Sequence, residues 1–147
     1  MPLHPQAKAV LERRATSLPK TPPTTLEERL RAFDNTWREA GPEVYKTEDR
    51  RIPGPGGEIP VRIYWPSEEG PLPVLVEFHG GGFVHGNIES YDGNCRRLSV
   101  GAGCVVVNVD YRKAPDHKFP AAPEDCYAVT KWVAENAASL NVDPTKI

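Results

Sequence analysis

The chain has 147 residues, of which 39% are hydrophobic and 26% are charged, with 18 basic residues against 20 acidic ones. This length and composition predict one globular domain with a core and exclude wholesale disorder. A net charge of −2 provides no attraction to nucleic acid, and no apolar run is long enough to cross a bilayer, so neither partner is expected. The three cysteines are widely spaced and the N-terminus carries no secretory pattern, which favours a cytoplasmic location.

The first 43 residues predict two short helices separated by a proline-rich break. The first helix is expected over residues 5–17 and the second over residues 25–39. Thr24 or Thr25 is the expected N-cap of the second helix. Its apolar residues recur at helical spacing: Leu26, Leu30, Phe33 and Trp37.

The following segment predicts a β-hairpin and then strands of a different kind. Extended stretches at residues 44–52 and 58–65 flank a proline- and glycine-rich turn. Valine-rich runs at residues 73–78 and 104–109 are typical of strands that are covered on both faces, as in a parallel sheet.

Helices are expected between and after these runs, over residues 91–102 and 120–139. The second of them has a predicted apolar face: Ala122, Tyr127, Val129, Val133 and Ala134. A leading hairpin followed by strand, helix, strand and helix predicts an α/β fold. Its mixed sheet would start with an antiparallel hairpin, continue with parallel strands and carry helices on both faces.

The sequence after the last predicted helix is short. A crossover helix normally returns the chain for another parallel strand, and no such strand is recognisable here. We therefore expect the N-terminal part of a longer fold, with an open apolar sheet edge at residues 73–78. A small complete domain with a two-helix cover is the alternative.

A glycine triplet follows directly after the predicted strand 73–78, in the run His79-Gly80-Gly81-Gly82-Phe83. Glycine allows close approach of the main chain to a ligand, and loops at the carboxyl ends of parallel strands bind ligands. Several backbone N–H groups can converge there on one oxyanion, as acyl transfer requires. The dinucleotide and Walker fingerprints both fit poorly, whereas a tight connection without a ligand is an open alternative.

Two sequence blocks carry a family resemblance. HGGGFVHGN (residues 79–87) and DYRKAPDHKFPAAPED (residues 110–125) resemble the two blocks of the hormone-sensitive-lipase-like esterases, bacterial family IV of the α/β-hydrolases. The resemblance implies a helical cap segment at residues 1–43. It also implies an incomplete α/β-hydrolase domain at residues 44–147, with the first four strands and two crossover helices.

The resemblance also implies which residues form the site. Backbone N–H groups of Gly81 and Gly82 would be the oxyanion-hole donors, and His79 and Gly80 would shape the loop. Substrate contact is implied for three aromatic residues, although ordinary packing is an alternative for the last two: Phe83, Phe33 and Trp37. Lys113 stands where the family usually has leucine, which places an amine in an apolar position.

The catalytic triad of the family is not recognisable in this sequence. None of the serines lies in a Gly-x-Ser-x-Gly run, and the family's acid and histidine follow that serine in chain order. The resemblance thus implies a serine carboxylic-ester hydrolase for short or medium acyl esters, without cofactor or metal. This chain would carry its oxyanion loop and be inactive alone.

Three alternatives are weighed against this interpretation: a cysteine nucleophile, a metal site and a non-catalytic module. Cys95 is expected to be partly exposed on a helix, but no base is placed beside it, and Cys104 and Cys126 are expected to be packing residues. His85 and His117 belong to no metal-binding spacing. From a different class, the chain would be a non-catalytic interaction module, or self-associate, by strand addition at the open sheet edge.

Overall fold

The structure is a computed structural model, and it describes residues 3–17, 24–36, 38 and 40–147. The described elements in chain order are α1 (Pro5–Ser17), α2 (Leu26–Thr36), β1 (Lys46–Gly54), β2 (Gly57–Trp65), β3 (Val74–Phe78), α3 (Ile88–Ala102), β4 (Val105–Val109), α4 (Ala121–Glu135) and α5 (Ala137–Leu140). This succession confirms the predicted α/β fold class. Trp37 and the side chain of Phe33 lie outside the described residues.

The strands form one mixed sheet in the order β1-β2-β4-β3. β1 and β2 pair antiparallel, β2 and β4 also pair antiparallel, and β3 lies parallel to β4. The hairpin turn is tighter than predicted, because both strands extend until Gly54 pairs with Gly57. Gly57 has a positive φ of 124°, which glycine adopts without steric penalty.

Apolar side chains cover both faces of the sheet, as the valine-rich runs predict. All five residues of β4 are buried. One face packs against α4 through Val129 and Val133, and the other packs against α3 through a smaller cluster that includes Tyr64 and Cys95. β4 is therefore the central strand beneath both helical layers.

Part of the predicted apolar face of the last long helix was wrong. Tyr127 is 72% exposed and Ala134 is exposed as well, whereas the carboxylate-bearing Asp125 is fully buried. Asp125 lies on the same face as Ala122 and Val129, since residues three and four apart share a helix face. It is held there by Arg112, whose Nε and Nη2 donate to its carboxylate at 2.9 and 2.8 Å.

The helix that follows the glycine triplet begins three residues before the predicted start at residue 91. Asn87 is its N-cap: the Asn87 side chain accepts from the Ser90 N–H at 2.9 Å, and the Ser90 hydroxyl accepts from the Asn87 N–H at 2.9 Å. This capping box satisfies two amides that would otherwise lack partners, so α3 begins at Ile88. The predicted N-cap Thr25 is confirmed for α2, where its hydroxyl accepts from the Glu28 N–H.

The predicted open edge is only partly open. The segment after α5 runs beside the start of β3, with a parallel bridge between Leu72 and Val142. The Val74 N–H donates to the Lys146 carbonyl at 2.9 Å. Further along, Val76 is half-buried and Phe78 exposed, and β3 is the last strand on this side in the described part of the chain.

Among the described residues, no helix combines the length and apolar character that crossing a membrane requires.

Candidate active site

The glycine loop, defined here as residues 79–86, leaves the carboxyl end of β3 and leads into α3. The N–H groups of Val84 and His85 both donate to the Gly81 carbonyl at 3.1 Å, which closes a tight turn. Gly81 and Gly82 have φ values of 144° and 61°. A Cβ atom at Gly81 would overlap the His85 carbonyl oxygen, so the turn requires glycine there.

The two predicted oxyanion donors are the backbone N–H groups of Gly81 and Gly82. Within the described part of the chain, no group accepts a hydrogen bond from the N–H of Gly81 or Gly82. Gly82 is exposed, and nothing lies within 4 Å of the position a Cβ would occupy. Two backbone donors on this turn are thus available to a ligand oxygen.

His79 lies buried beneath the loop, at 2% exposure. Its Nδ1–H donates to the Gly80 carbonyl at 3.0 Å, and its own carbonyl accepts from the Tyr111 hydroxyl at 2.6 Å. The imidazole also stacks on the Tyr111 ring, with the centroids 4.4 Å apart. Burial lowers the pKa of His79, which keeps the ring neutral at pH 7.

The unusual Lys113 has a charged partner. Its Nζ forms an ion pair with Asp110 and donates to the Tyr111 carbonyl at 3.1 Å. The Asp110 carboxylate also lies 3.9 Å from His79 Nε2, so the amine and the imidazole share one acidic neighbour. The amine therefore fits a position where the family usually has leucine, because its charge is balanced locally.

Phe83 joins the two sequence blocks. Its carbonyl accepts from the Ala114 N–H at 2.9 Å, and its ring centroid lies 6.2 Å from that of Tyr111. Phe83 is 61% exposed and directly follows Gly81 and Gly82 in the sequence. Its backbone φ of 60° is unusual for a residue with a side chain and places it on the same tight turn.

The expectation that Cys95 is partly exposed was wrong, because α3 turns it into the cluster under the sheet, where its exposure is 0%. Burial raises the pKa of Cys95 to about 12 and that of Cys126 to about 11, and it also raises the pKa of Cys104. All three thiols remain protonated at neutral pH, so none is an activated nucleophile. His117 is exposed on its loop.

Sequence reasoning missed one residue at this site. The carboxylate of Asp34, on α2, accepts a hydrogen bond from the Gly86 N–H at 2.8 Å. The two residues are 52 positions apart, and no spacing in the sequence connects them.

Comparison with known proteins bears on the fold and the family of this chain. A family model described as an alpha/beta hydrolase fold matches residues 75–147. The esterase LipI of Mycobacterium tuberculosis is 45% identical over 122 residues, which is 81% of this chain and 38% of that protein. The carboxylesterase NlhH of the same species is 45% identical over 108 residues, 72% of this chain and 34% of that protein.

Solved structures show the same likeness over most of the chain. The hyperthermophilic esterase of the archaeon Pyrobaculum calidifontis superposes with a TM-score of 0.86 at 42% identity, covering 100% of this chain and 48% of that one. The thermophilic carboxylesterase EstE1, from a metagenomic library, gives a TM-score of 0.80 at 45% identity, covering 84% of this chain and 44% of that one. The present chain thus spans less than half the length of these relatives. With its two sequence blocks and its fold, the chain belongs to the hormone-sensitive-lipase-like family of the α/β-hydrolase superfamily.

Proposed function

We propose that this chain carries the oxyanion-binding part of a serine carboxylic-ester hydrolase that acts on short or medium acyl esters. The observation that supports this most directly is that the N–H groups of Gly81 and Gly82 have no acceptor among the residues the structure describes. When a nucleophile attacks an ester, the carbonyl oxygen gains negative charge. Preorganised backbone donors stabilise that charge, and removing one such donor slows catalysis by about 10²–10³.

Only the stabilisation of the oxyanion is assigned to these 147 residues. In serine ester hydrolysis, the serine oxygen bonds to the acyl carbon and a base accepts the serine proton. The alcohol then leaves with a proton, and water releases the acid from the acyl-enzyme. The sequence contains no Gly-x-Ser-x-Gly run, and neutral His79 is held beneath the loop. The chain alone should therefore not turn over esters.

The substrate class is a small-molecule ester. The relatives named above are an esterase and a carboxylesterase, which supports this class for a protein that shares their fold. The exposed ring of Phe83 provides an apolar surface next to the two donor amides. Phe33 and Trp37 remain predictions as further substrate contacts from the cap.

The first test measures hydrolysis of p-nitrophenyl butyrate by the isolated chain. We expect no release of p-nitrophenol above the buffer rate. Saturable turnover that a serine-directed phosphonate abolishes would contradict the assignment, since it would require a nucleophile within these residues.

The second test supplies the missing part. A chimaera would place this chain in front of the unmatched portion of the Pyrobaculum calidifontis esterase, and we expect it to hydrolyse the same ester. The matched control is Gly81→Val in the chimaera, because its side chain would overlap the His85 carbonyl and displace the donors. A loss of about 10²-fold in kcat is expected. Full activity in a folded Gly81→Val chimaera would overturn the role of the loop.

A second candidate function is a binding module that adds a strand at β3. The outer edge of β3 beyond Val74 supports it, because no described strand covers that side. Glu77, the fourth of the five residues of β3, opposes it, since a charged, half-buried side chain on an edge strand discourages strand addition. Size-exclusion chromatography and calorimetry together test this function. Concentration-dependent association in chromatography supports the module, and a monomer that melts cooperatively in calorimetry counts against it.

A further inference from the structure

The contact between Asp34 and Gly86 joins the cap segment to the glycine loop. Asp34 lies on α2, half-buried, and its Oδ1 accepts from the buried Gly86 N–H at 2.8 Å. An amide that donates to a carboxylate forms a charge-assisted hydrogen bond, which is stronger than one between neutral groups.

Gly86 has little room to move independently of the loop. Its φ is 94°, and a Cβ atom there would overlap His79 Nδ1 and lie 2.8 Å from the Gly80 carbonyl oxygen. Its main chain therefore packs directly against the imidazole and the carbonyl that shape the start of the loop. Asn87, the N-cap of α3, follows at once. A displacement at Gly86 would consequently be passed on to His79 and Gly80.

The anchors of the loop come from two different parts of the chain. Tyr111 donates to the His79 carbonyl and Ala114 donates to the Phe83 carbonyl, and both belong to the block at residues 110–125. The anchor at Gly86 comes from α2 instead. The body of the fold thus supports the first part of the loop, and the cap supports its end.

We propose that Asp34 is a positioning residue, which couples docking of α2 to the geometry of the donors at Gly81 and Gly82. The importance of this coupling for catalysis rests on the proposed function, but the coupling itself does not. When α2 moves away, Gly86 loses its acceptor and the end of the loop is released. Helix α2 would then control the geometry of the oxyanion site.

The test measures backbone amide exchange and the Gly86 amide proton shift by NMR in the 147-residue chain. Asp34→Ala should speed exchange at Gly86 by about tenfold or more and move its proton upfield, because a hydrogen bond to a charged acceptor is lost. It should also move the amide signals of Gly81 and Gly82, because the end of the loop is released. Asp34→Asn, which keeps an acceptor oxygen, should restore part of the protection. Exchange in β4 should not change. Glu27→Gln is the control, since Glu27 pairs with Arg31 on the exposed side of α2.

Unchanged Gly86 exchange in Asp34→Ala would overturn the proposal, and so would amide signals of Gly81 and Gly82 that stay where they are in the unmodified chain. Faster exchange spread equally over β4 would do the same, because it would mean that Asp34 acts only on global stability. If Asp34→Ala does not fold, Asp34→Asn decides by the same two readouts. No ester is involved, so failure of the hydrolysis assays would leave this result standing, and the reverse also holds.

Discussion

Arg112→Met removes the principal partner of a fully buried carboxylate. Asp125 has no exposed surface, and it accepts from the Arg112 Nε at 2.9 Å, Nη2 at 2.8 Å and backbone N–H at 3.0 Å. Methionine keeps the backbone donor and the apolar stem but loses the guanidinium. The variant therefore leaves a buried negative charge with one hydrogen bond from this residue.

The expected cost follows from that burial. Removing one partner of a buried ion pair destabilises proteins by about 3–5 kcal/mol. The Arg112 side chain is 25% exposed, so water already screens part of the pair, and we expect the lower end, about 3 kcal/mol. The double variant Arg112→Met/Asp125→Leu should recover most of this loss, since no unpaired charge remains.

Urea unfolding followed by tryptophan fluorescence measures these differences as shifts of the midpoint at constant slope. The control is Lys131→Met, which breaks an exposed pair with Glu135 at 3.7 Å and should cost less than about 1 kcal/mol. The reasoning would be refuted if Arg112→Met cost no more than this control. It would also be refuted if the double variant lost the sum of both single changes.

Three further predictions concern the loop and the thiols. Gly86→Ala should lower the melting temperature far more than Gly82→Ala, because a Cβ atom at residue 86 would overlap His79 whereas a Cβ atom at residue 82 meets open space. Equal shifts of the melting temperature would contradict this. Because burial lowers the pKa of His79, the unfolded chain takes up the proton first, and stability should fall as the pH drops below about 6.5. His79→Gln should therefore lose less stability than the unmodified chain between about pH 7.5 and 5.5, as measured by urea unfolding. An unchanged pH dependence in this variant would contradict the prediction. Finally, the raised pKa of the buried Cys95 should make iodoacetamide labelling of the native chain at least about a hundredfold slower than labelling of the urea-unfolded chain. Peptide mass spectrometry measures both rates, and rapid labelling of the native chain would show that the thiol is accessible.

The loop at the site was largely predictable from the sequence, because its features are local. Three adjacent glycines after an apolar run place a tight turn at the end of a strand, and the structure has that turn after β3. The same holds for the helix cap at Thr25 and the buried strand β4, which depend on neighbours along the chain. The roles of Gly81 and Gly82 as oxyanion donors remain predictions, which are supported by amides that find no acceptor in the described ranges of the chain.

Contacts between distant residues could not be predicted in this way. Periodicity suggested Tyr127 as a core residue, but the core side of α4 instead holds Asp125, which is tolerated because Arg112 reaches it from the preceding loop. Cys95 is buried because α3 lies flat on the sheet, and this depends on how the helix packs.

By itself the sequence determined the order of helices and strands, the α/β class and the two blocks that mark the family. Such patterns record the preferences of residues that are near one another along the chain. Only the tertiary structure decided that helix α2 reaches the glycine loop through Asp34 and that the final segment covers the first part of the β3 edge. Both contacts join separate segments, and they exist because packing around the sheet brings a donor and an acceptor within hydrogen-bonding distance.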